Sequence, residues 1–296
     1  MGLPLSTLTG AKLIYHNEGF YPDEEVDGGV WKAGSGPHRL AKFLDGRVYA
    51  GADGLIALSD RAKSVIEAFP AVRRKQTPVV VVPSCVNLER FQPRTPTRQV
   101  DGAGLRFIYV GSVGKRYLLD KVGSFVAAAR RGGASASLRV LTQTASGHVK
   151  SLLSAGGLPD DAWSAARIPH AEVPGELARH HAGLHFLPQG LSDHGGSPTK
   201  IGEYWAMGLP VVVTPGIGDI EEIVRREGVG VIVPEHSEAA HRRAVSELKA
   251  LLADKDLRVR CRRAAETHYA LGSACERQLN LYREVIAGRS RAAAGA

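Results

Sequence analysis

From Leu105 onward, short runs of β-branched and other apolar residues alternate with stretches whose apolar positions recur every three to four residues. The first pattern predicts strands and the second amphipathic helices. The predicted strands are LRFIYVG (105–111), SLRVLTQT (137–144), a short one near ARIPH (166–170), GLHFLP (183–188), LPVVVT (209–214) and VGVIVP (229–234). The predicted helices are LLDKVGSFVAAARR (118–131), HVKSLLSAG (148–156), PGELARHHA (174–182), PTKIGEYWAMG (198–208), GDIEEIVRREG (218–228) and two more near 237–253 and 255–267. Such alternation implies an α/β fold, a parallel sheet wrapped by helices on both faces. Ligands of such sheets bind at the carboxyl ends of the strands.

The pattern is thinner before that point. AKLIYHN (11–17), DGLIALS (53–59) and TPVVVVPSCV (77–86) read as strands, and HRLAKFLDGRVYAGA (38–52) and DRAKSVIEAF (60–69) as helices. FQPRTPTRQVDGAG (91–104) carries two prolines and two glycines and few large apolar residues, so it reads as a linker. The expected organisation is a partial N-terminal Rossmann-like domain with its linker (1–98), followed by a complete doubly wound domain (99–272). The small, basic residues at 289–296 are expected to be a disordered tail.

The bulk numbers fit a globular protein: 296 residues, 44% hydrophobic and 23% charged. A formal net charge of +8 favours anionic partners without choosing among them. Three cysteines with no Cys-x-x-Cys spacing argue against a disulfide framework or a zinc site. No apolar run approaches the ~20 residues of a membrane span, and the first residues lack the pattern of a signal peptide. The expectation is a cytoplasmic protein, with peripheral attachment to the inner membrane face left open. No P-loop, Gly-x-Ser-x-Gly or His-Glu-x-x-His is present, and nothing resembles a nucleic-acid module.

The candidate chemistry lies in four places. GGSPTKIGEYWAMG (195–208) reads as a helix with Ser197 at its N-cap and Pro198 as its first residue. Yet it places Lys200 in the first turn, where the dipole favours an anion. A phosphate held by the free amides at that end would reverse the balance. Glu203, three residues on, shares the helical face, and its carboxylate suits the paired hydroxyls of a ribose. YVGSVGKRY (109–117) runs a strand into a turn in which Gly111 and Gly114 permit close backbone approach, with Lys115 and Arg116 adding charge. His16 follows a predicted strand, while Asp23, Glu24 and Glu25 read as a solvated loop. His170, His180, His181, His185 and His194 cluster in sequence; His181 and His185 are four apart, but the predicted helix ends between them, so a shared metal-binding face is not expected.

At these motifs the chain resembles GT-B glycosyltransferases of the family-four type. SPTKIGEYWAMGLPVVVTPGIGDIEEIV (197–224) is similar to their donor-binding stretch, and YVGSVGKRYLLDK (109–121) to the phosphate loop opening their second domain. VVVVPSCVNLERFQP (79–93) resembles their interdomain strand and linker, and LNLYREVI (279–286) their last helix, which implies that 273–288 crosses back to the first domain. The resemblance implies two Rossmann-like domains with an activated sugar in the cleft. Glu203 would bind the donor ribose. Amides near Ser197, Pro198 and Thr199 and the Gly111–Ser112 turn would hold the diphosphate. Lys115, Arg116 and Lys200 would act on the leaving phosphates, substituting by proximity for a basic pair whose usual spacing is absent. His16 matches a histidine facing the sugar. Many relatives carry a second Glu eight residues before the ribose-binding one; here that position is Gly195. Relatives also have more chain ahead of this start, so the first part of the N-terminal domain is expected to be missing, or supplied by a partner chain.

The implied function is a retaining, hexosyltransferase-type enzyme moving a sugar from a nucleotide-diphosphate donor to a glycan, lipid or cell-surface precursor, without metal or other cofactor. The alternative is a non-catalytic or half-enzyme nucleotide-sugar-binding subunit that needs a partner chain. A sugar-nucleotide epimerase and, last, a nucleic-acid binder driven by net charge are weaker readings.

Overall fold

The computed structural model describes residues 2–93, 104–114 and 116–288. Most of the predicted linker, all of the predicted tail and Lys115 lie outside these residues.

The chain begins with α1 (Gly2–Thr9), β1 (Ile14–Asn17), α2 (Tyr21–Asp27), α3 (Gly36–Gly51), β2 (Gly54–Ala57), α4 (Asp60–Glu67), α5 (Pro70–Lys75) and β3 (Val79–Val81). The three strands form a parallel sheet in the order β1-β2-β3. β3 is shorter than the apolar run 77–86 suggests, because Pro83 has no N–H to extend the ladder. α1, α2 and α5 were not expected. α2 replaces the expected acidic loop: Pro22 sits in its first turn, and Asp23 and Glu24 lie where the helix dipole favours acids.

The second series comprises β4 (Leu105–Val110), α6 (Leu119–Arg131), β5 (Ala136–Leu141), α7 (Ser146–Ala155), β6 (Trp163–Ala166), α8 (Val173–Leu177), β7 (Ala182–His185), α9 (Thr199–Ala206), β8 (Val211–Val213), α10 (Ile220–Glu227), β9 (Gly230–Ile232), α11 (Glu238–Leu252), α12 (Leu257–His268) and α13 (Leu271–Ile286). Its six strands are all parallel, in the order β6-β5-β4-β7-β8-β9. This is the Rossmann order, with its switch point between β4 and β7.

One face of the larger sheet buries Phe107, Val140, Leu184 and Phe186 against Phe125 and the rest of α6, with Leu248 of α11. The other buries Ile108, Val211 and Val213 against Ile201, Tyr204 and Trp205 of α9 and Cys261 of α12. Both faces being covered explains why strands such as β8, Val-Val-Val, are apolar throughout. α8 ends five residues before the predicted helix does. The His181 amide bonds the Arg106 carbonyl (2.8 Å), drawing the chain into the sheet. α13 returns to the smaller sheet, where Leu281 and Val285 pack with Ile56 and Val82.

The two sheets are joined through polar groups. The Asp219 carboxylate accepts the Asp60 and Arg61 amides at the start of α4 (2.7 and 3.1 Å). Ser59 caps that helix by accepting the Ala62 amide, and its hydroxyl donates to the His194 carbonyl at 2.7 Å. Asp27 of α2 accepts the Ser192 amide at 3.0 Å.

Candidate functional site

The ladder between β4 and β7 covers only Phe107 with Ala182 and Ile108 with Gly183. Beyond it the strands part. The Val110 amide is met there by the Tyr204 hydroxyl, at 2.9 Å, reaching up from α9. Gly183 makes this crossing possible, since a Cβ there would stand 2.2 Å from the Tyr204 ring. The crevice that opens at the carboxyl ends of β4 and β7 is the expected place for a ligand.

The turn after β4 forms one wall. Gly111 has φ +131, a conformation that demands glycine. Its amide bonds the Leu141 carbonyl at 2.9 Å, so it is spent on the sheet rather than held free for phosphate. The Tyr109 hydroxyl donates to the Ser112 carbonyl (2.6 Å) and fixes the turn. The amides of Ser112, Val113 and Gly114 make no hydrogen bond to another described residue.

α9 forms the facing wall and starts one residue later than expected. Pro198 occupies the N-cap, Thr199 is the first helical residue, and no side chain caps the end. Ser197 lies outside the helix because its hydroxyl accepts the Ser84 amide, at 3.2 Å, from the segment after β3. It serves the join between the two sheets rather than a cap.

Lys200 crosses the crevice to the Gly111 turn. A Cβ on Gly111 would stand 2.6 Å from its Nζ. The ammonium lies 4.8 Å from the ring centroids of both Tyr109 and Tyr117, an aromatic box that holds a cation without neutralising it. Burial pushes the ammonium down to about 8, against an upward pull from Glu203. Among the described residues no carboxylate comes within ion-pair distance of it. His185, fully buried at the end of β7, is held neutral by burial and then by Lys200 and Arg116. Among the described residues neither of its ring nitrogens has a hydrogen-bond partner.

Glu203 is buried, with a side chain 8% exposed, and its Oε1 lies 2.8 Å from His170 Nε2. Arg116 does not stand free over the crevice. Its guanidinium bridges Glu24 of α2 (2.6 Å) and the buried Asp193 (2.9 Å). His16 is exposed on β1 and bonds neither Lys200 nor Glu203. The Gly195 position is tight. A Cβ there would meet Gly19 Cα and the Phe20 ring, each at 3.2 Å. The five histidines do not gather, and among the described residues no three or more His, Cys, Asp or Glu are arranged to hold a metal ion.

The structure thus brings together Gly111, Ser112, Thr199, Lys200 and Glu203, while the Ser197 hydroxyl is engaged by the Ser84 amide and His16 lies exposed near the carboxyl end of β1. Sequence reasoning missed Tyr109, Tyr117 and Glu24. The Tyr pair flanks a Gly-containing turn at 109 and 117, and Pro22 with three acids was a helix-start signal.

Residues 105–250 match the sequence profile of the family described as glycosyl transferases group 1. No curated protein matches the chain by sequence. Among solved structures, sucrose-phosphate synthase from Thermosynechococcus elongatus is 17% identical with a TM-score of 0.72, over 97% of this chain and 71% of that one. Anabaena Alr3699/HepE in complex with UDP and glucose is 14% identical with a TM-score of 0.66, over 95% of this chain and 74% of that one. WaaG, a glycosyltransferase involved in lipopolysaccharide biosynthesis, is 16% identical with a TM-score of 0.63, over 89% and 74%. Among the described residues no helix is long and apolar enough to cross a membrane. Residues 105–250 thus carry the match to the glycosyl transferases group 1 family, and the fold of the chain is that of the GT-B glycosyltransferases.

Proposed function

We propose that the chain transfers a hexose from a nucleoside-diphosphate donor to a glycan, lipid or cell-surface precursor, with retention at the anomeric carbon. One observation carries this reading: the ammonium of half-buried Lys200, with no carboxylate at ion-pair distance among the described residues, stands between the uncapped start of α9 and the Gly111 turn. A cation there opposes the helix dipole, at a cost of roughly 0.3–1 kcal/mol. A diphosphate seated against it would reverse that balance through charge-assisted hydrogen bonds worth about 1.5–3 kcal/mol. The UDP complex of the Anabaena neighbour supports a nucleotide as the occupant.

The chemistry follows from charge. As the anomeric bond breaks, negative charge builds on the leaving diphosphate. Lys200 and the free amides of Ser112–Gly114 and the start of α9 are fixed donors aimed at that charge. Loss of one such donor in comparable sites costs roughly 2.7–4 kcal/mol of barrier. Glu203 takes the ribose hydroxyls, and the departing phosphate removes the proton of the acceptor.

A second reading, a nucleotide-sugar-binding subunit that turns over only with a partner chain, draws on Arg116 and Gly195. Arg116 is committed to Glu24 and Asp193, and the Gly195 position is tight against Gly19 and the Phe20 ring. A thermal-shift screen with UDP, GDP and ADP, followed by incubation with the matching sugar nucleotides, separates the two. Donor turnover supports the transferase; binding without turnover supports the subunit; no shift with any nucleotide sinks both.

A further inference from the structure

His170 joins Glu203 to the segment that follows β3. It opens a 3-10 turn, His170–Glu172. Its Nε2 lies 2.8 Å from Glu203 Oε1, its Nδ1 lies 3.2 Å from Arg90 Nη1, and its ring packs 5.4 Å from that of buried Phe91. Hydrogen-bond chemistry fixes the direction of this chain. A guanidinium only donates, so Nδ1 accepts from Arg90; the ring proton therefore sits on Nε2 and is donated to Glu203.

The supports of this chain are themselves tied down. Asn87 Oδ1 accepts the amides of Glu89 (3.0 Å) and Arg90 (2.9 Å). Arg262 of α12 donates to the carbonyls of Phe91 (2.6 Å) and Ala206 (3.2 Å). Ala206 is the last residue of α9, the helix that carries Glu203. One arginine thus fixes the segment bearing Arg90 and Phe91 to the helix bearing the carboxylate.

We propose that His170, held by Arg90, is a positioning residue for the nucleoside. It occupies Oε1 of Glu203 and so presents Oε2 to the ribose hydroxyls. It also keeps the carboxylate from turning toward Lys200, one turn back on the same helix face, whose charge attracts it. Both charged groups then stay available to the donor. This inference rests on Glu203 being the ribose-binding carboxylate.

The test is calorimetric titration of wild type, His170→Ala, His170→Gln and Arg90→Gln with UDP and 2′,3′-dideoxy-UDP, and with the corresponding GDP and ADP pairs. For whichever pair binds, His170→Ala is expected to weaken the ribonucleotide about tenfold and leave the dideoxy analogue within about twofold. His170→Gln, whose amide can donate to Glu203, is expected to recover most of the loss, and Arg90→Gln to lose about threefold. A side chain that only supports the fold would weaken both nucleotides alike. Equal losses, unchanged affinities or tighter binding by the alanine variant would overturn the inference alone, the last by marking His170 as a competitor of the ribose. Failure of all three ribonucleotides to bind wild type would overturn it together with the function on which it rests.

Discussion

The ammonium of Lys200 ends against Gly111, so close that a Cβ on the glycine would stand 2.6 Å from Nζ. The helix after β7 and the turn after β4 are therefore one construction. Gly111→Ala is expected to force the turn out of φ +131 and push Lys200 off the Tyr109 and Tyr117 rings. Thermal denaturation should register a loss of about 1–3 kcal/mol, and nucleotide binding should disappear. An alanine variant with wild-type affinity would separate the turn from the site.

Lys200 also gives the site a pH signature. Burial lowers its ammonium from the ordinary 10.5 to about 8. Between those values the unfolded chain binds more protons than the folded one, so the free protein gains stability as pH rises through that window. A bound diphosphate acts in the opposite sense by favouring the ammonium. Affinity should be full below pH about 8 and decline as pH climbs above it. Lys200→Met should remove both dependences, which titration calorimetry and chemical denaturation from neutral to alkaline pH can check.

Gly195 stands where many relatives place a sugar-binding Glu, yet restoring the side chain should not help. Even a Cβ would press on Gly19 Cα and the Phe20 ring, each at 3.2 Å, so a longer side chain must displace them. Gly195→Glu is expected to destabilise the protein by about 1–3 kcal/mol through overpacking and to lower donor affinity. A variant that is stable and turns over faster would show that the Gly19–Phe20 contact opens during the reaction.

Asp219 caps a helix of the opposite sheet. Asp219→Ala strips the Asp60 and Arg61 amides of their acceptor. The expected cost is about 0.5–2 kcal/mol, measured by urea denaturation. Because the bonds cross between the sheets, the variant should also become more susceptible to limited proteolysis. Unchanged cleavage would mean that Ser59 and Asp27 suffice to hold the join.

The alternation of strands and helices after Leu105 was legible because buried parallel strands are apolar throughout and their helices amphipathic. The odd cation at 200 was legible as well, since it breaks a local rule at a helix start. Three features were not. Ser197 is a sound N-cap by composition, but its hydroxyl is claimed by the Ser84 amide, distant in sequence. Arg116 reads as a free cation until the fold brings Glu24 and Asp193 to it. His170 carries no local mark at all, because its role depends on Arg90 and Phe91 from one distant segment and Glu203 from another.

The most direct measurement is titration of wild type and Lys200→Met with UDP, GDP and ADP at pH 7. Saturable binding of one nucleotide by wild type, weakened about 10- to 150-fold in the methionine variant, is the expected result. Equal affinities in the two proteins, or no binding to wild type, would contradict a diphosphate seated between Lys200 and the Gly111 turn.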